Sequence, residues 1–187
     1  MITNFNQEKK ILLASEYIRI ISTIIILYFF NIPIFCKILL IMIFDKLDCS
    51  HMSYPFKGPL FSNNVNICKT LFYQKSDKIT DSICYTILLF YILNNGDLSS
   101  KYNNLIIILF IFRLIGSYFF LIKNDRKYLF YFPNFFLEIC LGLVVINYFS
   151  ILDNYKEFII LGIIIYKIIQ EYYLHVKKYD KIINEIK

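Results

Sequence analysis

Ile38-Leu39-Leu40-Ile41-Met42-Ile43-Phe44 runs without a polar break into Asp45-Lys46-Leu47-Asp48, and Ser76-Asp77-Lys78-Ile79-Thr80-Asp81 opens a later apolar run. Two pairs of aspartates therefore stand at the edges of hydrocarbon-like segments. A carboxylate at the centre of a membrane helix costs roughly 2.5–3.5 kcal/mol. Asp45 and Asp48 are spaced i, i+3 and Asp77 and Asp81 i, i+4, so on helices each pair shares one face. Carboxylates kept at that cost need partners, and a converging quartet suits a divalent cation. The stretch predicts an all-α, polytopic integral membrane protein with an oxygen-lined metal site.

The rest of the chain agrees. Of its 187 residues 58% are hydrophobic and 19% aromatic, a balance too apolar for an ordinary soluble domain. A bilayer core takes about 20 mostly apolar residues per helix. Six runs qualify, at about 11–30, 32–48, 77–94, 104–122, 129–150 and 157–174, and together they make one membrane domain over 1–187. Asn31-Ile32-Pro33, the segment 49–76, Asn94-Asn95-Gly96-Asp97, Lys123-Asn124-Asp125-Arg126-Lys127 and Asp153-Asn154 separate them. The first run carries Glu16 and Arg19 and lacks a small-residue cleavage site, so it reads as a span and not as a signal peptide.

Loop charge sets the orientation. With the N-terminus inside, inside segments hold Lys9 and Lys10; Lys57, Lys69 and Lys75; Lys123, Arg126 and Lys127; and Lys177, Lys178, Lys181 and Lys187. Outside loops hold only Lys101 and Lys156. The positive-inside rule then puts both termini and all four aspartates at the cytoplasmic face. Topology and anionic lipids account for the net charge of +6, so nucleic-acid binding is not called for.

Cys36, Cys49, Cys68, Cys84 and Cys140 are odd in number and form no disulfide framework. Cys49-Ser50-His51 with Cys68 matches none of the usual zinc spacings. There is no phosphate-binding glycine loop, no Ser-His-Asp order and no HExxH. Carboxylates without His or Cys favour Mg²⁺, Mn²⁺ or Ca²⁺. At a membrane surface such a cluster suits two metals bridging a diphosphate, with one carboxylate left as general base for an attacking hydroxyl. The expected chemistry is phosphoryl-type transfer on a lipid-linked diphosphate.

Asp45-x-x-Asp48 and Asp77-x-x-x-Asp81, on the second and third of six helices, resemble the signature of the CDP-alcohol phosphatidyltransferases, D-x-x-D-G-x-x-A-R followed by G-x-x-x-D-x-x-x-D. Tyr17-Ile18-Arg19-Ile20 resembles the Y-x-R-I run that opens eukaryotic phosphatidylinositol synthases, and His51 lies near the histidine that can follow D-G there. The likeness covers roughly residues 11–94; the last three helices match in number and hydrophobicity alone. It implies transfer of a phosphatidyl group from CDP-diacylglycerol to a small alcohol, most of all myo-inositol, with release of CMP. It implies Mg²⁺ or Mn²⁺ in a two-metal site of Asp45, Asp48, Asp77 and Asp81, with Asp81 also as catalytic base. It implies Arg19 in the substrate cavity; beside it, the residues themselves offer Lys57, Lys69 or Lys75 as substitutes for the motif's lost arginine, and Arg113 as a further substrate ligand. A homodimer is compatible with it, and in a eukaryote the membrane would be the endoplasmic reticulum.

The signature is degenerate. Cys49 stands where the family has glycine, Met52 and Ser53 where it has A-R, Tyr73 at the later glycine, and 49–76 contains an insertion. Two other classes therefore stay open: an inactive relative that binds lipid or metal, and an unrelated six-helix transporter. Only the first two readings require the aspartates to converge on one point.

Blander roles stand beside each residue. The aspartates could be solvated helix ends, with Ser76-Asp77 an ordinary helix start. Glu16 and Arg19 could simply neutralise each other. Arg113 could pair with Glu138 or bind a phosphate or hydroxyl. Lys37 and Lys167 are placed to snorkel, and the basic run Tyr172 to Lys187 to lie on the membrane surface.

Overall fold

A computed structural model describes residues 2–46, 71–96, 98 and 100–177. Every regular element among them is helical: α1 Ile2–Phe29, α2 Ile34–Lys46, α3 Leu71–Asn95, α4 Asn103–Lys123, α5 Lys127–Tyr131, α6 Phe136–Tyr148 and α7 Lys156–Tyr172. Single 3₁₀ segments, Ser100–Tyr102 and Ser150–Tyr155, lead into α4 and α7, and a π-helical turn, Tyr173–Lys177, extends α7.

Short local signals place the breaks. Pro33 disfavours helix at Ile32, and its carbonyl accepts the N–H groups of Cys36 (3.0 Å) and Lys37 (3.2 Å) that start α2. Asn124 ends α4 in the left-handed region at φ 58°, a conformation asparagine tolerates, and donates its N–H to Phe120 O at 2.9 Å. Pro133 interrupts the fifth apolar run. The continuous span expected over 129–150 is two helices, α5 and α6, with an irregular link at 132–135, because proline offers no N–H and bars helix at Phe132.

The chain forms two compact units, Met1–Leu88 and Leu89–Lys187, the division falling within α3. In the first, α1 packs on α2 around Leu27, Ile38 and Ile41. In the second, α4 packs on α5 and α6, and α6 on α7, around Phe110, Phe120, Phe136 and Leu143. Gly116 lets α4 approach the irregular link: a Cβ there would lie 2.5 Å from Phe132 Cβ.

Several large apolar side chains are exposed while several charged ones are buried. Phe29 and Phe158 are 77% exposed, and Tyr17, Ile18, Ile21, Leu161 and Ile165 are also exposed. Glu16, Arg19, Lys37, Asp81, Arg113 and Lys167 are at most 7% exposed. Buried charge beside exposed apolar side chains is compatible with a hydrocarbon setting, and the buried core is itself apolar. Two helical stretches, Ser100–Lys123 and Lys127–Tyr148, are long and apolar enough to cross a membrane. The two lysines expected to snorkel turn inward instead. Lys37 Nζ donates to Leu27 O at 2.8 Å, satisfying a carbonyl in the last turn of α1, and Lys167 Nζ reaches Glu138 Oε1 at 2.5 Å.

Candidate functional site

Arg19 is the hub of the first unit. It lies on the face of α1 that also carries Glu16 and Thr23, spaced by three and four residues, and Thr23 Oγ1 donates to Arg19 O at 2.9 Å. Asp45 approaches from the last turn of α2, Asp77 and Asp81 from successive turns of α3. Arg19 Nη1 donates to Asp77 Oδ1 at 2.7 Å and to Glu16 Oε2 at 3.2 Å; Nη2 donates to Asp45 Oδ1 at 2.5 Å and Asp81 Oδ1 at 2.6 Å. Lys78, on α3 between the two aspartates, takes their other oxygens, its Nζ 2.8 Å from Asp77 Oδ2 and 2.5 Å from Asp81 Oδ2. A planar, permanently charged fork suits a centre shared by several carboxylates.

The Asp45–Asp77–Asp81 part of the expected quartet thus converges, and Arg19 of the Y-x-R-I run lies at the point of convergence. Asp48, Lys57 and Lys69 lie outside the described residues. Arg113, expected as a substrate ligand or a partner of Glu138, belongs to the second unit. Its Nη1 donates to Phe132 O at 3.2 Å, a carbonyl left outside both α5 and α6 by the Pro133 break. Glu138 is taken by Lys167, so the Arg113–Glu138 pairing is not the one formed.

A second polar cluster surrounds that lysine. Lys167 Nζ also stands 3.5 Å from Glu171 Oε1, which accepts the Asn134 N–H at 3.2 Å, and His175 Nε2 is 2.8 Å from Glu171 Oε2. Burial holds the His175 imidazole down at about 4, against the proton-retaining pull of Glu171 and with Arg126 and Arg113 reinforcing the loss. Lys78, Glu171 and His175 were missed in the sequence. The spacing Lys167, Glu171, His175, four residues apart each time, places all three on one helical face and was the available signal.

No family model, curated protein or solved structure matches this chain. The site must be read from its own chemistry.

Among the described residues, no group of three or more His, Cys, Asp or Glu side chains is arranged to hold a metal ion. The reason is local: Arg19 and Lys78 occupy both oxygens of Asp77 and both of Asp81. The donor set nevertheless fits a hard divalent cation chemically. Its donors are all carboxylate oxygens, and four carboxylates, Glu16, Asp45, Asp77 and Asp81, face two cations, Arg19 and Lys78.

Proposed function

We propose that the chain is a six-span membrane transferase, with both termini and the aspartates on the cytoplasmic side, that moves a phosphatidyl group from CDP-diacylglycerol to a small alcohol, myo-inositol first among candidates. One observation carries the reading. Two motif fragments recognised separately, Tyr17-Ile18-Arg19-Ile20 and the spaced aspartates, meet at bonding distance: Arg19 lies within 2.7 Å of Asp45, Asp77 and Asp81 across 26 to 62 residues of chain. The exposed apolar and buried charged side chains support the membrane setting.

In this reading the acceptor hydroxyl oxygen attacks the phosphatidyl phosphorus, the bond to CMP breaks, and the Asp81 carboxylate takes the hydroxyl proton. Asp45, Asp48 and Asp77, with Asp81, would hold Mg²⁺ or Mn²⁺, which supplies charge neutralisation on the diphosphate. Arg19 contributes a fork matched to phosphate oxygens. Lys57 and Lys69 are proposed to grip the nucleotide side. Arg113, whose Nη1 is engaged by Phe132 O, is the least available of the proposed ligands.

The test is an assay of purified protein with CDP-diacylglycerol, Mn²⁺ and labelled inositol. Labelled lipid and CMP in equal amounts, both strongly reduced by Asp81→Asn, are expected; no CMP release with Mg²⁺ or Mn²⁺ refutes the transferase. A second reading, an inactive relative that keeps the lipid site, is favoured by the same ion pairs that occupy Asp77 and Asp81, and CDP-diacylglycerol binding without CMP release would select it.

A further inference from the structure

We propose that the second unit carries a binding site for a small neutral polyhydroxyl molecule, formed by Arg113, Glu138, Gln170 and His175. Four buried atoms point to it: Arg113 Nε, Glu138 Oε2, Gln170 Oε1 and His175 Nδ1 have no hydrogen-bond partner. They come from α4, α6, α7 and the π-helical turn that extends α7, all within Leu89–Lys187. Arg113 and His175 are 4% and 5% exposed. Buried polar atoms left unmet are costly, and a native fold keeps few of them without a reason. Among the described residues of the first unit, no buried side-chain nitrogen or oxygen is left in this way.

The bonds already made hold these groups together. Lys167 Nζ joins Glu138 Oε1 to Glu171 Oε1, and Glu171 Oε2 faces His175 Nε2 at 2.8 Å. The charge of Arg113 acts on both Glu171 and His175. Gln170 precedes Glu171 on α7 and is half-buried, which sets the mouth of the site at the end of that helix. In the neutral His175 ring the nitrogen facing a carboxylate keeps the proton, so Nδ1 is an acceptor. The open set is therefore one donor, Arg113 Nε, and three acceptors. A phosphate or carboxylate would set its lone pairs against those acceptors. A cationic ligand would lie against Arg113 and Lys167. A hydroxyl group both donates and accepts, and several on one small skeleton can answer all four atoms. The site uses neither the aspartates nor the transferase reading.

The experiment is equilibrium dialysis of labelled myo-inositol and labelled glycerol against the full chain in detergent. Metal and CDP-diacylglycerol are left out, so the result is separate from that of the transferase assay. Saturable binding of one polyol molecule per chain is expected. Gln170→Leu and His175→Phe each remove one acceptor and should weaken that binding by about 2–10-fold. Gln170 is half-buried and its Oε1 bonds nothing, so Gln170→Leu leaves the fold intact and decides alone if His175→Phe does not fold. Weaker polyol binding by the folded variants supports the site. Failure of the wild type to bind either polyol overturns it, as does unchanged affinity in Gln170→Leu. Inorganic phosphate that binds more tightly than the polyol and displaces it would mark an anion site and overturn it too.

Discussion

Alanine at Gly116 offers a sharp test of the second unit. Its methyl would lie 2.5 Å from Phe132 Cβ, 3.2 Å from Phe132 O and 3.3 Å from Phe132 Cγ. Cβ and O cannot rotate away, so either α4 or the 132–135 link must move. Overpacking of this kind costs about 1–3 kcal/mol. Moving Phe132 also disturbs the 3.2 Å bond from Arg113, of a charged type worth about 1.5–3 kcal/mol. Alanine's advantage in a helix returns roughly 0.5–1 kcal/mol. The net loss is about 1.5–5.5 kcal/mol, which for a chain of this size lowers Tm by roughly 2–4 °C per kcal/mol. Gly162 supplies the control: nothing lies within 4 Å of a Cβ there, so Gly162→Ala should be neutral or mildly stabilising. Unfolding in detergent can be followed with a thiol-reactive dye, since Cys84 and Cys140 are buried in the native state. A Gly116→Ala protein that melts within a degree of Gly162→Ala would refute the packing of α4 against Phe132.

Lys167→Met strands Glu138 and should destabilise by about 3–5 kcal/mol, whereas the double change with Glu138→Met should recover most of it; equal losses in single and double variants would contradict the pair. Asp81→Asn should lower transfer activity by about 10²–10⁴-fold if Asp81 is the base, with Mn²⁺ binding retained in part. His175 is held at about 4, below its ordinary 6.5, so its contribution to stability is complete above pH 6.5 and is lost as pH falls from there toward 4; His175→Phe should flatten that limb of the pH–Tm curve. Thiol labelling of single-cysteine variants should find 49–76 on one side of the membrane and the region of Ser99 on the other, and labelling of both from one side would remove the six-span topology.

Helix positions were legible because apolar runs, proline and asparagine are local signals. The run 104–122 fills α4 almost end to end, whereas α3 begins at Leu71, inside the segment 49–76 expected to separate the spans. The split of 129–150 was written in Pro133, but run length alone hid it. Asp45, Asp77, Asp81 and Arg19 stood out because charge inside hydrocarbon-like sequence is costly. Their sharing of one guanidinium was not legible, since it depends on how α1, α2 and α3 face each other. The same holds for Glu138, which meets Lys167 from another helix, and for Arg113, which finds a main-chain carbonyl that exists as a free acceptor only after the helix breaks. Lys78 was passed over for a different reason: lysine beside aspartate looks like ordinary solvent-facing charge until α3 is packed.

The bonds of Arg19 also bear on biogenesis. Asp77 is 58 residues downstream of Arg19 and Asp81 62. At a synthesis rate of about 5–20 residues per second, the α3 carboxylates leave the ribosome roughly 3–12 seconds after Arg19. In the proposed six-span topology, α1 would enter the bilayer during that interval with a permanent positive charge midway along its apolar segment. Glu16, one turn away on the same helix, is the partner available from the start. In that topology it would offset the arginine charge within α1 itself, before the helices that later claim the arginine have been made.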